Sequence, residues 1–165
     1  MADKVKLKTL LDDQEIEVDK EIAYKSILIK EYFDQGGDDA EACDLPPLKK
    51  DILEKVMVYC EYIHQNPDKE PKLEKPLKSD KIDDLVDEWF VGYLNADKDV
   101  LFELIKASNY LDINSLLELS SAKVATMIKG RPIQEIRDFF NIVNDFTPEE
   151  EEWVRQESAW AEECF

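Results

Sequence analysis

The sequence predicts an α+β fold: a small N-terminal sheet, packed helices behind it and a C-terminal helical extension. Three observations predict it. Residues 5–9 and 16–18 alternate apolar and polar at period two, as half-buried strands do. Nearly every later apolar cluster repeats at period 3.6 instead. Four Gly and seven Pro in 165 residues are too few for a turn-rich all-β chain.

In chain order, Val5-Lys6-Leu7-Lys8-Thr9 is the first strand, Asp12-Asp13 a turn, and Ile16 and Val18 the second strand. Asp19 is placed to cap a helix from Lys20, and Ser26 precedes Ile27-Leu28-Ile29, with Tyr32 and Phe33 completing an apolar face. A polar loop, Gln35 to Ala42, leads to a short third strand, Cys43-Asp44-Leu45, stopped by Pro46-Pro47. From Lys49 a helix shows its face in Ile52, Val56, Tyr59, Cys60 and Ile63, and ends at Asn66-Pro67. Residues 67–81 read as a flexible charged linker, nine charged residues in fifteen, with lysines at every third position from Lys69 to Lys81. A polyproline-like ribbon aligning those lysines on one face is the rarer alternative. Ile82, Leu85, Val86, Trp89, Phe90 and Tyr93 then follow one helical period. Asp97 or Asp99 caps a helix holding Leu101 to Tyr110, and Asn114 one holding Leu116 to Ile128, closed by Gly130. Pro132 opens a short helix, broken at Asn144-Asp145-Phe146. Thr147-Pro148-Glu149-Glu150 is a capping box with proline at the first helical position. Beyond it Trp153 and Trp160 lie seven apart, with Cys164 a turn further, an apolar stripe on an acidic helix. From periodicity alone, these C-terminal aromatics complete the domain's own core.

Charge and composition exclude several functions. With 39 Asp+Glu against 21 Lys+Arg the net charge is −18, which repels nucleic-acid phosphate and anionic membranes. Hydrophobic residues make up 44%, which supplies a core, so the charge does not signal disorder. No apolar h-region follows Met1, and no run approaches the length of a membrane span. Cys43, Cys60 and Cys164 form no CxxC pair, so reduced thiols and a cytoplasmic and nuclear location are expected. The one histidine, His64, lies near a helix end, where a cation complements the dipole. No nucleophile–base set, phosphate loop, EF-hand spacing or metal cluster can be assembled. The expectation is a non-enzyme with no cofactor and no metal. An acidic calcium buffer or histone-type chaperone is the alternative in another class, and the missing EF-hand spacing counts against it.

Long stretches of the sequence resemble the S-phase-kinase-associated adaptor family of SCF ubiquitin ligases. They are Leu101-Phe102-Glu103-Leu104-Ile105, Ala107 to Ile113, Val124 to Gly130, Glu135-Ile136-Arg137, Phe140 to Glu151 and Arg155 to Glu163, with Glu17-Val18-Asp19 and Glu21-Ile22-Ala23 near the start. The resemblance covers nearly the whole chain apart from the linker. It implies a BTB/POZ domain over residues 1–131, with the linker 67–81, and F-box-binding helices over 132–165. It also implies a non-catalytic bridge between a cullin scaffold and F-box substrate receptors in ubiquitin-dependent degradation. By position, Asn109 and Tyr110 would face the cullin. Leu101, Phe102, Ile105, Leu117 and Val124 would line the F-box groove, and Ile133, Ile136, Phe139, Phe140, Asn141, Ile142 and Trp160 would close it. The resemblance thus turns the C-terminal stripe from core into interface. It leaves weak homodimerisation of the free protein open, and a same-fold adaptor of a kinetochore assembly is its alternative. Two departures stand out. Arg131-Pro132 sets the proline one residue early, so the modification that some lineages carry on it is not expected here. Phe139 and Trp153 are unusual and alter the groove. Six net negatives in the last nineteen residues form an acidic rim that favours a basic-flanked helical guest.

Overall fold

A computed structural model describes residues 3–37 and 41–162, with the side chains of 160–162 outside the description. Asp38 to Ala40, Cys164 and the side chain of Trp160 therefore lie outside the described residues. The chain forms two compact units, residues 1–126 and 127–165.

The first unit is α+β, as expected. Strand β1 (Lys4–Thr9) pairs antiparallel with β2 (Gln14–Asp19), with Leu7 opposite Ile16. It pairs in parallel with β3 (Cys43–Leu45), giving the order β2-β1-β3. Val5, Leu7 and Thr9 are buried while Lys4 and Lys6 are exposed, so the period-two alternation selects the core face. The helices follow: α1 (Lys20–Ala23), α2 (Ile27–Asp34), α3 (Lys50–Gln65), α4 (Glu88–Tyr93), α5 (Lys98–Tyr110) and α6 (Asn114–Ile128). The period expected on α3 is the buried one: Ile52, Val56, Tyr59, Cys60 and Ile63, joined by Leu53 and Met57. It packs against α5, whose Leu101, Leu104 and Ala107 are completely buried. Burial pushes the Cys43 thiol up to about 11 and the Cys60 thiol up to about 12, which keeps both protonated and poorly nucleophilic.

Several caps differ from expectation. Asp19 and Asp97 occupy N-cap positions, but neither side chain makes a capping bond. Asn114 is the first residue of α6, and its amide donates to Asp112 Oδ1 instead (3.2 Å). For α3 the cap comes from far away in sequence. The Lys50 N–H donates to Asp12 Oδ2 (2.9 Å) in the β1–β2 turn. The Thr9 hydroxyl, with that amide, holds the Asp12 carboxyl below its ordinary value. A carboxyl lowered on folding stabilises above its unfolded pKa, and that contribution is lost as pH falls through the folded value. Asp12→Ala should lower the melting temperature at neutral pH. The difference from the parent should shrink as pH drops below the usual carboxylate range, as thermal melts against pH will show.

The 82–93 period does not make one helix. Ile82–Asp84 is a 3-10 turn, and α4 starts only at Glu88, after Asp87 at the N-cap. The apolar period survives because Ile82 and Phe90 still reach the core. Trp89 stacks between Tyr62 (3.6 Å between centroids, 6° apart) and Tyr93 (5.3 Å, 11°), tying α4 to α3. The charged linker also makes contacts that its composition does not suggest. After a 3-10 turn at Pro67–Lys69, Leu73 and Leu77 are half-buried, and Lys75 Nζ pairs with Glu118 Oε1 on α6 at 2.7 Å. Lys78 pairs with Glu74. Two apolar side chains four residues apart are enough to seat a segment that is otherwise charge and proline.

The second unit holds α7 (Ile133–Phe140) and α8 (Pro148–Glu162), after the last turn of α6 and Gly130 at φ +72°, a conformation that favours glycine. The capping box forms as expected. Thr147 N–H donates to Glu150 Oε2 (2.9 Å), and Glu150 N–H donates to Thr147 Oγ1 (3.3 Å).

Candidate functional site

On the first unit, α5 and α6 offer the candidate surface. Leu101 is completely buried and Val124 nearly so, so both belong to the core in this structure. Phe102, Ile105 and Leu117 are half-buried, and these three keep apolar area at the surface. Asn109, exposed, and Tyr110, half-buried, stand at the C-terminal end of α5. Burial first, and the nearby Cys43 thiol second, raise the Tyr110 phenol above its ordinary value, so it stays protonated at neutral pH. One buried serine anchors this end of the helix. Ser26 Oγ donates to the Leu111 carbonyl (2.6 Å) while accepting from Ile29 N–H (3.2 Å). A single hydroxyl thus caps α2 and ties it to the end of α5, beside Asn109 and Tyr110. The sequence shows Ser26 just ahead of the helix but neither of its bonds, and the tie to Leu111 spans 85 residues.

On the second unit, α7 presents a stripe at helical spacing. Ile133 is 67% exposed, and Ile136, Phe139 and Phe140 are half-buried. Phe139 and Phe140 meet edge to face (5.1 Å, 89°). Beyond the helix Ile142, Val143 (83% exposed) and Phe146 continue the apolar surface, and Trp153 on α8 is 59% exposed. Asn141 has a structural task as well as its position in the candidate site. It takes φ +55° and closes α7: its N–H donates to Asp138 O (3.3 Å), and Ile142 N–H donates to Arg137 O (2.8 Å). That turn puts Ile142 directly after the Phe140 end of the stripe.

Arg137 is the functional-site residue that periodicity could not single out. Its side chain is only 16% exposed and pairs with Glu151 Oε1 on α8 (3.2 Å). Its guanidinium sits 5.8 Å from the Phe146 ring centroid. Asn144 donates to the same Glu151 oxygen (3.3 Å). One arginine therefore joins α7, the intervening loop and α8. Its apolar neighbours Ile136 and Phe140 remain on the stripe, and Ile133, Ile142, Val143, Phe146 and Trp153 are large apolar side chains that unit 2 leaves exposed, a pattern that marks an interaction surface. Among the described residues no group of three His, Cys, Asp or Glu could hold a metal, and no helix is long and apolar enough to cross a membrane.

A BTB/POZ-like sheet-and-helix domain continuing into a helical extension with an open apolar stripe defines a class of interaction adaptor. The comparisons make the class specific: the chain belongs to the Skp1 family. Residues 3–65 match the family's tetramerisation domain and residues 114–161 its dimerisation domain. It is similar to the S-phase kinase-associated protein 1 homolog of Tetrahymena thermophila, 48% identical over 162 residues, covering 98% of this chain and 95% of that one. It is also similar to the E3 ubiquitin ligase complex SCF subunit sconC of Emericella nidulans, 40% identical over 163 residues, with 99% of each chain covered. The protein of the same description from Aspergillus fumigatus is 43% identical over 155 residues, 94% of this chain and 96% of that one. The fold class and the family expected from the sequence are both borne out.

Proposed function

We propose that the chain is the non-catalytic adaptor of an SCF-type cullin–RING ubiquitin ligase, working in the cytoplasm and nucleus. It bridges a cullin scaffold to F-box substrate receptors. The observation that carries this reading is the exposed stripe on α7 and the loop after it, in a chain that is similar over nearly its whole length to proteins named as SCF subunits. An amphipathic helix laid on Ile133, Ile136, Phe139, Phe140 and Ile142 would cover apolar area that the second unit leaves in water. Phe102, Ile105 and Leu117 on the first unit are also assigned to an F-box guest, whereas Leu101 and Val124 are buried in the core and are not offered to it. Asn109 and Tyr110 are assigned to the cullin. Trp160, whose side chain lies outside the description, is assigned to the guest from the family pattern.

No bond is made or broken in this role. The adaptor holds substrate receptor and scaffold at fixed spacing, which raises the effective concentration of substrate at the ubiquitin-carrying enzyme. Gel filtration of the full chain mixed with an F-box segment and a cullin amino-terminal fragment should give a one-to-one-to-one complex. Tyr110→Lys should remove the cullin and keep the F-box segment. If neither partner co-elutes with the parent protein, the adaptor reading is wrong. If only the F-box segment does, the protein serves an assembly outside ubiquitin transfer.

A further inference from the structure

We propose that residues 71–78 form a clasp over the face of α6 that carries Leu117, and that the clasp must lift for a helical guest to be seated there. The inference rests on the adaptor reading, which gives Leu117 to the F-box.

The segment reads Pro71-Lys72-Leu73-Glu74-Lys75-Pro76-Leu77-Lys78. A purely solvated linker gains nothing from leucines, yet Leu73 and Leu77 are both half-buried. Lys75, between them, reaches Glu118 on α6 at 2.7 Å. On α6, Asn114, Leu117, Glu118, Ser121, Ala122 and Ala125 recur at spacings of three and four, so they share one face. That face and the two leucines line one apolar cavity of about 400 Å³.

The cavity shows how firmly the clasp is held. Ser121, Ala122 and Ala125 are small, and the pocket they share with the leucines is wide enough to admit water. Leucines that meet water across part of their surface gain only part of the burial energy of a core position. The Lys75–Glu118 pair joins two substantially exposed side chains, and such pairs stabilise little and weaken with salt. The closed form is therefore only marginally favoured over the open one. Leu117 is the point of competition, since it lines the cavity under the clasp and is also one of the half-buried apolar positions assigned to the guest. A guest that needs the open form binds with an affinity reduced by the fraction of molecules that are open. The clasp thus shields an apolar face in the free adaptor and sets a threshold that weak guests do not pass.

The experiment compares the full-length parent with Leu73→Ser/Leu77→Ser and with Lys75→Glu. Two quantities are read: the rate of tryptic cleavage after Lys72 and Lys78 in the free protein, and the affinity and association rate for an F-box segment. Opening the clasp should speed cleavage several-fold and tighten binding by about three- to tenfold, the inverse of the open fraction. The charge swap Lys75→Glu/Glu118→Lys should return both towards the parent values. Equal cleavage in parent and double serine variant, or faster cleavage with unchanged or weaker binding, overturns the clasp. A parent protein that binds no F-box segment overturns the adaptor reading and the gating role with it. A parent that binds as well as its opened variants overturns the clasp alone.

Discussion

Ile133→Asp is expected to leave the melting temperature of the free protein almost unchanged and to weaken binding of an F-box segment about thirtyfold, some 2 kcal/mol, the scale of an interface hot spot. Ile133 is 67% exposed at the first position of α7, so its side chain contributes little to the fold. An aspartate in the first turn also suits the helix N-terminus, which offsets the lost propensity. In a complex the same position is covered. The parent then gains the burial of a large aliphatic group, about 1.5–3 kcal/mol, while the variant buries a carboxylate without a partner. Titration calorimetry alongside thermal melts separates the two effects. A fall in stability as large as the fall in affinity would show that Ile133 serves the fold and not the guest.

Leu104→Ala is expected to have the opposite signature. Leu104 is completely buried on α5, the helix that packs against α3. Truncating such a leucine costs about 2–5 kcal/mol, depending on how far the site collapses. For a chain of this size that lowers the melting temperature by roughly 10 °C. The functional consequence follows from the helix. Phe102 and Ile105 flank Leu104, and Asn109 and Tyr110 end the same helix. A looser α5 should therefore weaken F-box and cullin binding together, where Ile133→Asp touches the first and Tyr110→Lys the second. Pull-downs with each partner separately, below the lowered melting temperature, check this. Unaltered binding of both would mean that the two faces do not depend on the packing of α5.

How much of this was readable in advance depends on the range of each interaction. The capping box at Thr147 and Glu150, the period of α3 and the alternation of β1 all join residues at most four positions apart, or repeat within one element. Local spacing encodes these directly, which is why elements and core face were legible. The candidate site was legible in part. The stripe on α7 is visible as spacing, but spacing is equally good for core and for interface. The family pattern chose between them, and the exposure of Ile133, Ile142 and Val143 agrees with that choice.

The tertiary structure decided what depends on chain reversal. Asp12 caps α3 from 38 residues away, Ser26 reaches Leu111 across 85, and Lys75 reaches Glu118 across 43. Each pairs an ordinary polar residue with one of many equivalent partners, and only the packed backbone selects which. The break at 85–87 is of the same kind. The apolar period runs through it, but Ile82 and Phe90 find the core from a turn and a short helix as well as one long helix would allow. The sequence by itself determined the fold class, the helix faces and the family. Whether a polar residue is solvated or ties two elements together, and whether two leucines in a charged linker lie idle or close over α6, was decided by tertiary packing, because burial energy depends on what the folded chain brings within contact.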